Sequence, residues 1–365
     1  MTGSGVLLGT VLFIYQLPFI ILSLPIGVLA DRINRKTLLM ASQFAMALIA
    51  LALAIDIALG RVQPWHLMVF AFLSGTENTL IHIVRQALVP RVVPAGSLLN
   101  AIALNTIGFN ISRIVAPGLG GFLIVAIGVA GNFGIQAFLL LGVAFASLPI
   151  SVGKAITNEP LPPVTPRAFI GEMFSTITYV WTRPLLRMLF IVQYVTLFFA
   201  VPFLNFMPVW SSEILKGDAD TLGLLYVVSG LGAIAGTFLI ARKSNLSRPG
   251  NWLLVSVLAN AVFLIIFSQA TNYIASVGLL TILGAIQIVF FALNMSSVQS
   301  IIPDIVQGKV VALYNLGHGM IALGSLTMGL LIGYWGIQSA ILFMNIPLLA
   351  LAAVALVWMR PVRQM

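Results

Sequence analysis

The chain has 365 residues, of which 60% are hydrophobic and only 7% charged, with a mean hydropathy of +1.09. Ordinary soluble domains carry about a quarter charged residues, so a water-soluble globule is excluded and a polytopic membrane protein is indicated. Cysteine is absent, which removes thiol catalysis, thiolate metal sites and disulfides from consideration.

A membrane span needs about 20 consecutive apolar residues. Eleven such runs follow one another with short connections, at roughly 5–30, 37–59, 64–89, 98–128, 132–150, 185–209, 219–240, 251–268, 273–301, 309–334 and 337–358. The net charge of +9 is distributed by position. Of the 18 Lys and Arg residues, Arg61 and Lys216 alone fall in one set of alternating connections, and Arg113 lies inside a run. All the others, from Arg32 to Arg363, fall in the opposite set, which is therefore expected to be cytoplasmic. That places the C-terminus inside and the N-terminus of this chain outside a plasma (bacterial inner) membrane.

The run 5–30 has no basic segment before it and is too long for the apolar core of a signal peptide, so it reads as a span entering the cytoplasm at Asp31. Gly27 precedes Asp31 by about one helical turn and permits close helix approach. Asp31 with Arg32, Arg35 and Lys36 makes a compact charge cluster on a tight turn. A carboxylate placed there can rest against the positive N-terminal end of another helix and hold a gate closed, a contact typically worth about 0.3–1 kcal/mol. An ordinary basic turn explains the cations but not Gly27 together with Asp31.

Asp56 sits near the external end of the second run, and His66 lies on the connection after it. Glu77 in the third run and Arg113 in the fourth are the charges nearest the middle of their runs, at similar depth on consecutive antiparallel spans. An ionised group at the bilayer centre costs roughly 2.5–3.5 kcal/mol on insertion scales, so both are expected to face the protein interior or a wet cavity. Either Glu77 cycles between a proton and an ion pair with Arg113, or the two form a static pair that fixes helix packing. Asp56 is a weaker candidate for proton entry. Beyond Arg113 the run continues Ile114-Val115-Ala116-Pro117-Gly118-Leu119-Gly120-Gly121, where the proline frees a backbone carbonyl and the glycines allow bending or close packing.

The longest polar interval, 151–184, contains Pro160, Pro162, Pro163 and Pro166. It divides the chain into an N-terminal membrane bundle (1–150), a cytoplasmic linker (151–184) and a C-terminal six-helix bundle (185–365). Within Ala168–Trp181 apolar residues recur at helical spacing on one face, the pattern of a helix lying on the inner membrane surface; a loose linker is the alternative. The two halves read as imperfect copies. Gly27–Lys36 closes one run, and Gly236-Thr237-Phe238-Leu239-Ile240-Ala241-Arg242-Lys243 closes another, with Ile240 where the first has Asp31. Repeated halves are a hallmark of secondary transporters, whose site lies between them.

Gly232 and Gly236 form a GxxxG pair that reads as helix packing. Gln16, Asn105, Asn110, Gln193, Asn205, Gln287, Asn294, Asn315 and His318 put polar groups into apolar runs of both halves; some are expected to line a central cavity and others to bridge helices. His66, His82 and His318 show no metal-site spacing. There is no phosphate-binding loop and no nucleophile elbow, so ATP is not the direct energy source of this chain and an enzyme is not expected. Short charge clusters tied to helix ends give no nucleic-acid surface.

The segment 27–36 closely resembles the cytoplasmic loop motif of the major facilitator superfamily, G-x-L-A-D-R-x-G-R-R/K, with Asn34 in place of the second glycine. Arg85-Gln86-Ala87-Leu88-Val89-Pro90, Leu99-Asn100-Ala101 with Asn105, and Tyr179-Val180-Trp181 with Pro184-Leu185-Leu186-Arg187 look like the branch containing enterobactin exporters and macrolide-type efflux proteins. Residues 113–121 resemble the G-P-x-x-G-G element of antiporter members, with Ala116 replacing its glycine; mere close packing is the alternative. The resemblance extends over essentially the whole chain. It implies an all-α membrane fold of two pseudo-symmetric bundles, with five spans before the linker and six after it. The second half has a run before its Gly236–Lys243 element and the first has none before Gly27–Lys36, so this chain is expected to lack the first helix of the fold. The resemblance further implies a monomeric secondary transporter without cofactor, exporting an amphipathic small molecule such as a drug or siderophore by proton antiport. A uniporter or importer of the same fold, or a truncated membrane protein that does not transport, are the alternatives.

Overall fold

The computed structural model describes residues 5–22, 25–26, 35–92, 98–149, 166–241 and 248–363. The apolar runs become helices because a segment in lipid has to satisfy its own backbone N–H and C=O groups. Helix α1 spans Gly5–Ile21, α2 Arg35–Ala58, α3 Pro64–Val92 and α4 Leu98–Ala146. After the linker come α5 Pro166–Trp181, α6 Pro184–Phe199, α7 Ala219–Ala241, α8 Pro249–Ser268, α9 Tyr273–Ile301, α10 Asp304–Leu316, α11 Gly319–Trp358 and a terminal turn, α12, Arg360–Arg363. Between α6 and α7 the chain passes through a 3-10 turn, Pro202–Phe206, and a π-turn, Trp210–Ile214.

Among the described residues, seven helical stretches are long and apolar enough to cross a membrane: Lys36–Ala58, Leu119–Ala146, Pro184–Ile214, Ala219–Ile240, Pro249–Ser268, Tyr273–Ile301 and Lys309–Trp358. Helix α3 is 29 residues long but carries Glu77, Arg85 and Arg91 along its length. Phe138, Tyr334, Trp358 and Ile274 stand 75%, 78%, 79% and 83% exposed, a surface suited to lipid and not to water. The protein is an all-α polytopic membrane protein.

Two pairs of runs are joined without a separate loop. Helix α4 breaks at Gly128 (φ 73°, ψ 175°), and α11 breaks at Gly336 (φ 75°, ψ 169°). Each break separates the last two runs of its half, so the same device recurs at matching places in the two copies. Essentially only glycine occupies this backbone region, and a side chain there costs about 1–3 kcal/mol of strain. Gly336→Val is therefore expected to lower the melting temperature in detergent. Gly278→Ala, in α9 with open space beside it, is expected not to. Equal melting temperatures for the two variants would refute the strain argument.

The chain packs as two compact units, Met1–Thr10 with Pro166–Met365, and Val11–Thr165. In the smaller unit α2 packs along α4 and against α3, with Leu39, Val84 and Leu88 buried together. The Lys36 ammonium donates to the Leu148 carbonyl, tying the start of α2 to the turn after α4. Gly75 of α3 sits so close to the Tyr15 carbonyl that a Cβ there would overlap it, which seats α1 on α3.

In the larger unit α7 and α9 cross at backbone contact. Gly232 and Gly236 face Thr281 and Ala285, and Gly284 faces Ser229, so the GxxxG pair serves packing as its spacing suggests. At one end of this unit the Trp210 indole stacks on Phe267 at 4.3 Å and its Nε1 donates to Ser276 Oγ at 3.3 Å, which satisfies the one polar atom of a fully buried indole.

Candidate transport site

Helix α3 carries Glu77 half-buried, and its Oε1 is sealed from solvent with no hydrogen-bond partner among the described residues. Tyr15 of α1 lies within electrostatic reach of it. On either side along α3, Thr76 Oγ1 donates to the Phe72 carbonyl at 2.8 Å and Thr79 Oγ1 to the Gly75 carbonyl at 2.7 Å; both hydroxyls are committed to their own helix and leave the carboxyl alone. A buried polar group without a partner is costly; Gln43 Oε1 and Ser74 Oγ of this unit share that state, and Glu77 differs from them in being ionisable. The side chains of Arg35, His82, Asn105, Asn110, Arg113 and Pro117 lie outside the described residues, as do Gly27, Asp31 and Arg32 altogether. Gly118, Gly120 and Gly121 fall within α4, and Gly120 has open space beside it rather than a packed neighbour.

Asp56 and His66 are brought together although ten residues and a turn at Gly60 separate them. Asp56 Oδ2 lies 2.5 Å from His66 Nδ1, with the side chains 26% and 23% exposed. The Trp65 ring stands edge-on to the imidazole at 3.9 Å. Because this pair sits where α2 ends and α3 begins, it belongs to the rim of the unit, whereas Glu77 lies in the interior of α3.

The larger unit holds most of the polar side chains singled out in the sequence. Asn205 Nδ2 donates to Ser325 Oγ at 3.2 Å, linking the 3-10 turn to α11, and Asn294 Nδ2 donates to the Leu189 carbonyl at 3.2 Å, linking α9 to α6. These two bridge elements. Gln193 on α6 is fully buried with neither amide atom partnered, and Gln287 on α9 keeps an unpartnered Nε2. The Asn315 carbonyl accepts from the His318 backbone N–H at 3.0 Å and lies 2.8 Å from His318 Nδ1, at the break between α10 and α11. Gln16 is half-buried on α1.

Sequence reasoning passed over Asn260, fully buried with both amide atoms unpartnered, and three tyrosines. Tyr194 Oη donates to the Leu313 carbonyl at 2.9 Å and Tyr226 Oη to the Leu204 carbonyl at 3.0 Å, while Tyr314 Oη is buried without a partner. An amide or phenol inside an apolar run was the available signal for all four.

The first turns of α1 cross α11 within the larger unit. A Cβ on Gly9 would lie 2.8 Å from Gly329 Cα and 2.9 Å from the Ser325 carbonyl, and one on Gly329 would lie 2.7 Å from Gly9 Cα. Gly5 and Gly9 thus oppose Gly329, Gly333 faces Val6, and Ser325, the partner of Asn205, is one turn away. No cluster of metal-ligating side chains occurs among the described residues. Scattered buried amides, phenols and one carboxyl within apolar helices suit reversible recognition rather than bond-making.

Two helical units that repeat one glycine break, together with the family that matches the chain, make it a transporter of the major facilitator type. The transmembrane secretion effector family matches residues 8–365, and the chain belongs to that family. Over 360 residues it is 22% identical to the staphyloferrin A transporter of Staphylococcus aureus, covering 96% of this chain and 87% of that one. Over 290 residues it is 25% identical to the enterobactin exporter EntS of Salmonella typhi, covering 79% and 68%.

Among solved structures, a bacterial homologue of the human lysosomal transporter Spinster, inward-facing and occupied, superposes with a TM-score of 0.72 at 14% identity, covering 97% of this chain and 88% of that one. A POT family transporter in complex with 5-aminolevulinic acid gives 0.74 at 12% identity, covering 98% and 87%. At such identities the structures speak for the fold alone. The family and the relatives are membrane transporters, so this chain is a multi-pass membrane transporter and not an enzyme.

Proposed function

We propose that the protein exports an amphipathic small molecule of the siderophore or drug class by proton-coupled alternating access. The observation that carries this reading is that relatives spanning most of the chain are an enterobactin exporter and a staphyloferrin A transporter. Glu77 is the coupling residue in this proposal, supported by a solvent-sealed oxygen with no partner among the described residues, with Arg113 as the cation that its anionic form meets. Asp56 is a secondary proton-entry group. Gly27, Asp31, Arg32, Arg35 and Lys36 form the gate, and Pro117, Gly118, Gly120 and Gly121 a separate helix-bending, antiporter-like element. Gln16, Asn105, Asn110, Gln193, Asn205, Gln287, Asn294, Asn315 and His318 supply the polar groups of cavity and hinges. The unit of function is a monomer with its C-terminus in the cytoplasm.

Everted membrane vesicles carrying the chain test the reading directly. An imposed proton gradient is expected to drive uptake of enterobactin or a lipophilic dye, and a protonophore to abolish it. Flux indifferent to the protonophore would favour a uniporter, and no flux of either compound would favour a chain that does not transport. The orientation is checked separately. Since the chain has no cysteine, a cysteine placed at Lys154 or Arg248 is expected to resist a membrane-impermeant maleimide added to intact cells, while one at Arg61 or Lys216 reacts. The reverse pattern would invert the map.

A further inference from the structure

A groove of about 340 Å³ lies between α6, α8 and the end of α11, at the lower end of the size range of small-molecule clefts, about 300–1,000 Å³. Apolar side chains alone line it, among them Met188, Ile191, Leu254, Ala352 and Trp358. It opens outward, for the lining residues Leu351, Val354 and Trp358 are 47%, 53% and 79% exposed. In a chain that spans a membrane, that face meets acyl chains.

One end of the groove is ringed with positive charge. Arg187 lies one turn before Ile191 on the same ridge of α6, and Arg360 follows Met359, the last lining residue. Helix α12 is held in place because Gly250 of α8 abuts the Val362 carbonyl, and α12 also packs on α6. Arg248 caps the start of α8 with a left-handed backbone (φ 66°). Two neighbouring arginines are already engaged: Arg363 donates to the Leu356 carbonyl at 3.0 Å, and Arg183 lies over the Tyr179 ring at 3.5 Å. Among the described residues no carboxylate pairs with Arg187, Arg248 or Arg360. Trp358, amphipathic and mostly exposed, marks this end as the level of the membrane–water interface.

We propose that this groove binds an anionic phospholipid, with one acyl chain against Met188, Ile191, Leu254 and Ala352 and the headgroup phosphate on Arg187 and Arg360. An all-apolar trough ending in arginines at interface depth has the polarity profile of a phospholipid read from tail to headgroup. α6 and α8 also begin at this end, neither with a side-chain cap, so their N-terminal N–H groups add to the positive field. The site stands on the membrane fold and not on the transport proposal, since none of its residues is among those assigned to coupling, gate or cavity.

Native mass spectrometry of the purified full chain, titrated with phosphatidylglycerol or with phosphatidylcholine of the same acyl chains, tests it. Each arginine near the headgroup is expected to favour phosphatidylglycerol by about fivefold. Arg187→Gln with Arg360→Gln should erase that preference, and the paired lysine variants should keep most of it. Ala352→Phe fills the trough without touching the charge and should weaken binding of both lipids in protein that still elutes as a single species. Equal affinity of the unaltered chain for the two lipids would overturn the proposal. So would phosphatidylglycerol binding unmoved by Ala352→Phe, or full competition by glycerol phosphate without acyl chains, which would reduce the site to an anion patch.

Discussion

Glu77→Gln is expected to leave the chain folded and able to bind substrate while proton-driven flux falls to the level of vesicles without the protein. The amide copies the shape and hydrogen-bonding capacity of a protonated carboxyl, so packing around α3 should be preserved. What it lacks is a proton to release. In the proposed cycle the carboxyl must pass between a neutral form and an ionised form that meets Arg113. An ionised side chain deep in the membrane costs roughly 2.5–3.5 kcal/mol on insertion scales, a penalty that is difficult to explain in a purely structural residue. The measurement is paired: proton-driven uptake, and substrate counterflow without a gradient. Loss of the first with retention of the second supports coupling. Undiminished proton-driven uptake in Glu77→Gln makes the residue structural and moves the coupling site elsewhere.

The helices were readable because lipid leaves the backbone few options. The runs 219–240, 251–268 and 273–301 became α7, α8 and α9 within about two residues at either end. The faces were not readable. A helix apolar all round has no stripe to say which side turns inward, and so Asn205 and Asn294 could not be told from Gln193 and Gln287. The structure separates them: Asn205 and Asn294 each bridge two elements, Asn294 through its Nδ2 with Oδ1 left unpartnered among the described residues, whereas neither amide atom of Gln193 nor Nε2 of Gln287 has a partner there.

Connections were legible only in part. The run 309–334 is divided between α10 and α11 at Gly317 and His318, and the step from 334 to 337 is made by Gly336 alone. Asp56 and His66 looked like two isolated groups because their meeting depends on the turn at Gly60 (φ 67°), which hydropathy does not register. The crossing of Gly5, Val6 and Gly9 with Gly329 and Gly333 was hidden for another reason. With 32 glycines in the chain, small-residue spacing is frequent, and only the partner helix distinguishes a crossing from coincidence.

That crossing carries the second large expected effect. A Cβ built on Gly333 lies 3.9 Å from Val6 Cβ, inside the range of about 3.5–4.5 Å that disulfides span. In the native pair that Cβ would come within 2.5 Å of Val6 Cγ2, but cysteine at position 6 has a single γ atom that can turn into the bond. The chain has no cysteine of its own, so Val6→Cys with Gly333→Cys should close one intramolecular bridge under mild oxidation. If transport requires α1 and α11 to part, the oxidised double variant should carry no flux and a reductant should restore it. Gly329→Val tests the same contact from the opposite side. Its Cβ would press on Gly9 Cα at 2.7 Å, a backbone clash that no rotamer relieves, so the helices must separate. In that background the yield of the bridge should drop sharply and flux should fall, because close approach through small residues is what holds such helices together in lipid. Complete cross-linking with undiminished flux would show that α1 and α11 stay together throughout the cycle, and the moving contact would then lie elsewhere.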